Sequence, residues 1–220
     1  MEKRAVNLEI RNSNTEERKI EGYAAVFSEE FTQLSDRWGD KFFEKISKGA
    51  FIKTLGDNER DKLMLINHDW NRVVGRTNSN LVLEEDEKGL RFTLTVPNTT
   101  EGNDLLENVR LGLIKGCSFG FNITKQITRW DEDWNFYREI TEVDLFEISA
   151  TPIPAYQDTE ISARSDLSIK DLKEERAKEL NADLEVNSEI EDKNNRSEEN
   201  KEKIIERNAT FMMAFFNALN

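Results

Sequence analysis

CSFGFNITKQIT at residues 117–128 and FYREITEVDLFEIS at residues 136–149 are two long strand-like stretches, joined by a polar turn around residues 130–135. Shorter strand-like segments precede them at residues 5–11, 19–27, 63–67, 81–85 and 90–96, and helical patterns fall at residues 47–55 and 100–113. Many strands with few helices predict a mainly β, α+β fold. We expect a small, mostly antiparallel barrel or a sandwich. The first helix should be capped by Ser47.

The composition of the chain changes sharply near residue 160. All ten glycines and all three prolines occur before residue 155, and no aromatic residue follows residue 164 until Phe211. We therefore expect one domain at residues 1–164, followed by a charged, helical, scaffold-like tail at residues 165–220. The alternative for the tail is a C-terminal amphipathic helix that docks on the domain.

The charge and the apolar runs of the chain exclude several classes of function. The net charge is -13, and an acidic surface repels nucleic acid phosphates, so no nucleic acid partner is expected. No stretch approaches the roughly 18 apolar residues that span a bilayer, and the N-terminus lacks the apolar run of a secretory signal. The single cysteine, Cys117, fits a reducing cytoplasm, and one cysteine with one histidine argues against a metal site.

The motif KGCSFGF at residues 115–121 carries the first candidate for chemistry. Strand alternation places Cys117 on an apolar face that should enter the core. Ser118 and Gly120 share the opposite, small and polar face, where Gly120 leaves space for a substrate backbone. Ser118 is therefore the better candidate nucleophile. The alternative is a strand whose small face packs against another element.

A serine nucleophile needs a base within hydrogen-bonding distance, and His68 is the only imidazole in the chain. It follows the apolar run LMLIN at residues 63–67. Taken alone, a single histidine in this position is more often a hydrogen-bonded residue at the end of a strand. The pairing of His68 with Ser118 is thus a hypothesis that rests on both residues together.

Two carboxylates, Asp144 and Glu147, lie inside the strongly apolar segment EVDLFEIS at residues 142–149. A buried carboxylate needs a partner, because an unpaired buried charge is costly. A histidine is a natural partner, since a carboxylate can fix the tautomer of the ring. The alternative is an ion pair with a nearby arginine or lysine. Alternation leaves both faces largely apolar and does not choose between the two acids.

Five motifs in the first 164 residues resemble the phage prohead protease family, and they follow one another in the same order. They are FFEKISKGAF at 42–51, LINHDWNRVVGRT at 65–77, EEDEKGLRFTLTVPNTTEGND at 84–104, ENVRLGLIKGCSFGF at 107–121 and ITEVDLFEISATPIPAY at 140–156. The resemblance implies a small β-barrel wrapped by helices, related in fold to the herpesvirus assembly proteases. It also implies a serine endopeptidase of the prohead.

The family histidine falls on His68 and the family serine on Ser118. Herpesvirus relatives use a second histidine as third member, which this chain lacks, so the matching candidate is Glu147. No cofactor is implied. The resemblance implies phage capsid and scaffold chains as substrates, with the tail of the enzyme itself and self-association as further expectations. It implies a location in the bacterial cytoplasm, inside the immature prohead.

Two rival interpretations remain. The chain could be a non-enzymatic assembly module that contains an inactive protease domain. Alternatively, the enzyme could use Cys117 with His68, in which case thiol reagents would block it.

Overall fold

The computed structural model describes residues 1–6, 11–14, 18–152, 167–194 and 198–217. The strands, in chain order, are β1 (Glu2–Val6), β2 (Arg11–Asn14), β3 (Lys19–Val26), β4 (Thr32–Ser35), β5 (Lys41–Ile46), β6 (Leu63–Ile66), β7 (Asp69–Arg76), β8 (Leu81–Glu85), β9 (Gly89–Thr95), β10 (Gly116–Trp130) and β11 (Phe136–Thr151). The helices are α1 (Ile52–Gly56), α2 (Thr100–Arg110), α3 (Ile169–Asn194) and α4 (Glu198–Asn217). The domain boundary expected between residues 164 and 165 lies outside the described residues.

The larger of two sheets is organised around β11. One edge of β11 pairs antiparallel with β10 over nearly its whole length, and β10 pairs in turn with β1. The other edge is shared by two shorter strands, β5 and β6, which both run parallel to β11. The end of β6 is thereby held beside the same part of β11 that β10 covers from the opposite side.

The smaller sheet has the strand order β2-β3-β9-β8. Side chains from both sheets form one apolar core, including Phe92 of β9, Phe119 of β10 and Leu145 of β11. Helix α2 adds Leu105 and Val109 to the same core. Burial of these apolar side chains is the dominant force that holds the two sheets together.

The mainly β, α+β class is confirmed, but the predicted barrel is wrong. In the described part of the chain, no hydrogen-bonded ladder joins the two sheets, so they do not close on themselves. The larger sheet branches at β11, because β5 and β6 divide one edge of that strand. Their pairings are parallel and join segments far apart in sequence, so the alternation within each segment gives no sign of them.

The predicted helix at residues 47–55 is shorter than expected. Helix α1 begins only at Ile52, and no side chain caps it. The predicted cap, Ser47, instead donates its hydroxyl to Glu139 at 2.6 Å. The second predicted helix corresponds to α2, where Thr99 accepts a hydrogen bond from the Gly102 amide and so satisfies one of the free donors at the helix start.

The tail contains the helices α3 and α4. At the start of α3, the buried Ile169 donates its amide hydrogen to Asp36 at 3.0 Å. Further along, Ala177 of α3 and Phe211 of α4 pack against Trp134 in the turn between β10 and β11. At Ile169, Ala177 and Phe211, the tail therefore packs on the domain, as the alternative of a docked helix predicts.

A buried group of charges links β1 to β5 and β11 within the larger sheet. Arg4 donates to both oxygens of the Glu44 carboxylate, at 2.5 and 2.9 Å, and Arg138 of β11 donates to the same carboxylate at 2.8 Å. Glu2 accepts hydrogen bonds from both arginines. Burial would raise the pKa of Glu44, but the two guanidinium groups outweigh it and hold the pKa below its usual value.

Replacing Glu44 with glutamine should lower the free energy of unfolding by about 3 kcal/mol, because two buried guanidinium groups lose a counter-charge. Denaturant titration at neutral pH measures this. The control is Glu107→Gln, which removes an exposed partner of Arg110 within α2 and should change stability little. Equal losses of stability in the two variants would contradict the prediction.

The same carboxylate should make stability depend on pH in the wild type. The folded pKa of Glu44 is lowered, so its contribution is fully present above the unfolded value of about 4.3 and is lost as the pH falls through the folded pKa. Glu44→Gln should therefore flatten this part of the stability profile.

Candidate active site

Strand β10 presents Ser118 on the face of the sheet that points away from the core. Cys117, Phe119 and Phe121 are fully buried in the core on the opposite face. The alternation predicted from the sequence is therefore confirmed for this strand. Ser118 lies opposite Ser149 in the ladder with β11 and is itself only 2% exposed.

A β-bulge brings Glu147 to the same face as Ser118. Gly120 pairs with Glu147, but Phe121 pairs with Leu145, so Phe146 is an extra residue in β11. The bulge lets Leu145 enter the core while Glu147, two residues later, points to the opposite face. Strict alternation would have placed both residues on one face, which is why the sequence pattern could not choose the acid.

His68 reaches this face from the turn between β6 and β7. Ile66 and Asp69 pair across the turn, and its two central residues, Asn67 and His68, have φ values of 55° and 59°. Positive φ at both central positions characterises the type I′ turn, which matches the twist of the flanking strands. The turn lies next to β11 because the Asn67 amide donates to the carbonyl of Ala150 at 3.1 Å.

Ser118, His68 and Glu147 form a continuous chain of hydrogen-bonding contacts. Nε2 of His68 lies 2.8 Å from Oγ of Ser118, and Nδ1 lies 2.7 Å from Oε1 of Glu147. A carboxylate can only accept, so Nδ1 carries the hydrogen and Nε2 of the neutral ring is left to accept from Ser118. Glu147 is 0% exposed, whereas the His68 side chain is 15% exposed, so solvent reaches the site from the imidazole side.

The Ser118 hydroxyl has a second acceptor. The carbonyl oxygen of Arg4 in β1 lies 2.7 Å from Oγ, almost the same distance as Nε2 of His68. A hydroxyl has one hydrogen and donates fully to one acceptor at a time. The two acceptors therefore compete for the Ser118 proton when the site is at rest.

Ser149 is a further polar residue of this site, and no motif in the sequence pointed to it. Its Oγ accepts a hydrogen bond from the His68 amide at 3.1 Å and donates to Oε2 of Glu147 at 2.6 Å. The only indication in the sequence was that Ser149 lies two residues after Glu147 in the motif LFEIS, so that strand alternation places both on the same face.

The other candidate acids lie elsewhere. Asp144 forms an ion pair with Arg60 and is partly exposed, which is the arginine pairing considered as the alternative for either acid. Asp69, the residue after His68, is a third acid near the site, and it accepts hydrogen bonds from the main chain and the side chain of Asn71. Of these three acids, Glu147 is the one whose side chain contacts the His68 ring.

Gly120 makes room for the third candidate residue of the site. A Cβ atom at this position would overlap with the carboxylate oxygen Oε1 of Glu147. The space predicted beside Ser118 for a substrate backbone stays a prediction.

Cys117 is buried in the core, one residue from Ser118 but on the opposite face. Burial, together with the nearby charge of Glu147, raises the pKa of its thiol. A thiol that stays protonated is a poor nucleophile.

In the described residues, no three His, Cys, Asp or Glu side chains cluster so that they could hold a metal ion. None of the described helices is long and apolar enough to cross a bilayer.

The family model of the Caudovirus prohead serine protease matches residues 6–174, which is most of the chain. The chain belongs to this family. The match covers the segments that carry His68, Ser118 and Glu147. It begins at the end of β1 and extends into α3.

A relative of this prohead serine protease family member is the prohead protease of Escherichia phage T5. The two sequences are 26% identical over 141 residues, which make up 64% of this chain and 60% of the phage protein. The match thus spans about 60% of that relative's length. No solved structure matches the chain. The expected relation in fold to herpesvirus assembly proteases therefore stays a prediction.

In this prohead protease family member, Cys117 should resist thiol reagents as long as the chain is folded, because its thiol is buried and protonated. Intact mass spectrometry after iodoacetamide treatment measures the alkylation, and Cys117 is the only thiol in the chain that the reagent can alkylate. The same treatment in denaturant should add one label. Rapid labelling of the folded chain would contradict the assignment of Cys117 to the core.

Proposed function

We propose that the chain is a serine endopeptidase of phage prohead maturation, with Ser118 as nucleophile, His68 as general base and Glu147 as the acid that orients His68. The observation that carries the proposal is the unbroken contact chain from Ser118 through the imidazole to a fully buried carboxylate. Membership of the prohead serine protease family supports the same reaction.

The geometry suits acyl transfer. Oγ of Ser118 attacks the carbonyl carbon of the scissile peptide bond while its proton passes to Nε2 of His68. The C–N bond then breaks as the proton passes from Nε2 to the leaving amine, which leaves an ester on Ser118. A water molecule deprotonated by Nε2 hydrolyses the ester, and the proton returns to Ser118. Glu147 stabilises the imidazolium that forms in each half of the reaction.

The Arg4 carbonyl sets a condition on this reaction. While the Ser118 hydroxyl donates to Arg4, its proton is not directed at the base. A bound substrate must therefore favour the hydrogen bond from Ser118 to His68 over that to Arg4.

The proposed substrates are the scaffold and capsid precursor chains of a phage, cleaved inside the immature prohead. We assign residues 1–164 to the protease domain and residues 165–220 to a scaffold-like tail, which is proposed as a further substrate. Self-cleavage would release the helices that now pack against Trp134 and around Ile169.

Ser118→Ala and His68→Ala should each lower turnover on the order of a thousandfold or more, and the double variant should lose little beyond either one. Residues that act as a unit lose activity non-additively. The measurement is cleavage of a scaffold-derived peptide, with mass spectrometry of the wild type and Ser118→Ala for self-cleavage.

Three results would contradict parts of this proposal. Full activity in His68→Ala would exclude the serine protease mechanism. Full activity in Ser118→Ala, with loss in Cys117→Ala, would move the nucleophile to the buried thiol. A folded wild type that cleaves neither itself nor the peptide would favour the non-enzymatic assembly module.

Glu147→Gln should lower turnover on the order of a hundredfold, which is less than the loss from removing Ser118 or His68, because the acid supports the base without reacting itself. The matched control is Asp144→Asn, which changes an acid of the same strand that pairs with Arg60 instead. Steady-state kinetics on the same peptide measure both variants. Loss of activity in Asp144→Asn with little change in Glu147→Gln would reverse the assignment.

A further inference from the structure

Ser149 occupies a place in the sheet that connects all three residues of the proposed site. It pairs directly with Ser118 across the β10–β11 ladder, and it lies two residues after Glu147 on the same face. It is 0% exposed, so its hydroxyl has no access to solvent. A buried hydroxyl needs partners within the protein, and Ser149 has two.

The direction of both hydrogen bonds follows from the chemistry of the partners. The His68 amide can only donate, so the Ser149 oxygen accepts at 3.1 Å. The Glu147 carboxylate accepts the Ser149 hydrogen at Oε2, at 2.6 Å. The Ser149 hydroxyl thus accepts one hydrogen bond and donates one.

These bonds divide the two oxygens of Glu147 between two partners. Oε2 is held by Ser149, and Oε1 faces Nδ1 of His68. A carboxylate held at only one oxygen can rotate about its terminal bond, which would change the direction in which Oε1 accepts. The hydroxyl therefore fixes the plane of the carboxylate that in turn fixes the imidazole.

The bond to the His68 amide acts on the other end of the same pair. His68 has positive φ, a conformation that a non-glycine residue adopts only when its surroundings hold it there. One buried hydroxyl thus restrains both the backbone that carries the base and the carboxylate that orients it.

We propose that Ser149 is a positioning residue of the proposed serine protease site, and this inference rests on the function proposed above. Ser149 fixes the position of the Glu147 carboxylate relative to the backbone of His68. Nδ1 of His68 therefore keeps its hydrogen, and Nε2 stays available to accept from Ser118. It does not itself contact the reacting atoms.

Ser149→Ala should lower kcat by about 10- to 100-fold, because a hydrogen bond to a charged group is lost, while KM changes little. The control is Thr54→Val. The Thr54 hydroxyl also accepts a buried hydrogen bond from β11, from the Leu145 amide at 3.0 Å, but it does not contact the site. Thr54→Val should lower the melting temperature and leave kcat per folded molecule unchanged. Ser149→Thr, which keeps the hydroxyl, should restore much of the turnover.

A second readout does not depend on activity. His68 is the only histidine, so the ¹⁵N resonances of its imidazole are assigned directly. The wild type and Thr54→Val should show the tautomer with hydrogen on Nδ1. Ser149→Ala should shift the ring nitrogens toward a mixture of tautomers. If Ser149→Ala does not fold, Ser149→Cys replaces it, since a thiol of similar shape is a weak donor.

Unchanged imidazole resonances in Ser149→Ala, with a kcat that falls only in proportion to the folded fraction, would overturn the inference and leave the proposed function intact. An active Ser118→Ala variant would instead overturn the proposed function. The imidazole resonances would still report whether Ser149 positions His68 through Glu147.

Discussion

The ladder between β10 and β11 is the interaction on which the site depends. Its register places Ser118 opposite Ser149 and Gly120 opposite Glu147. A slip of one residue would turn Ser118 into the core and Cys117 out of it, so burial of the apolar face fixes the position of the nucleophile. β6 uses the other edge of the same part of β11 and delivers His68. The three side chains are therefore set by neighbouring strands and one tight turn, which restrict their positions more than long loops would.

Features that repeat along a single segment could be predicted from the sequence. Alternation alone assigned Ser118 and Cys117 to opposite faces, and both assignments hold in the structure. Alternation could not decide between Asp144 and Glu147, because one extra residue, Phe146, changes which positions of β11 face the core. A bulge has no reliable signature in one sequence. The choice of Glu147 came from the resemblance to a known family.

Features that depend on contacts between distant segments could not be predicted from the sequence. The two parallel partners of β11, which make the larger sheet branch, join residues that are 84 and 94 positions apart in the sequence. The role of Ser149 depends on the amide of His68, eighty-one residues away. The buried cluster of Arg4, Glu44 and Arg138 is equally non-local, and the same β1 strand brings the Arg4 carbonyl to Ser118. A small serine or a charged residue in a strand is usually exposed, so each of these residues carried an unremarkable local pattern.

The backbone conformation of His68 carries a steric cost that glycine would avoid. The second central position of its turn favours glycine, which adopts a φ near 59° without the steric cost that a Cβ brings. The chain thus keeps a side chain that the turn itself disfavours. Glycine at position 68 would remove this steric cost, but it would also leave the fully buried Glu147 carboxylate without its imidazole partner. The loss of that partner costs more than the backbone gains, so a screen of this scaffold for heat resistance would favour a residue at position 68 that still pairs with Glu147.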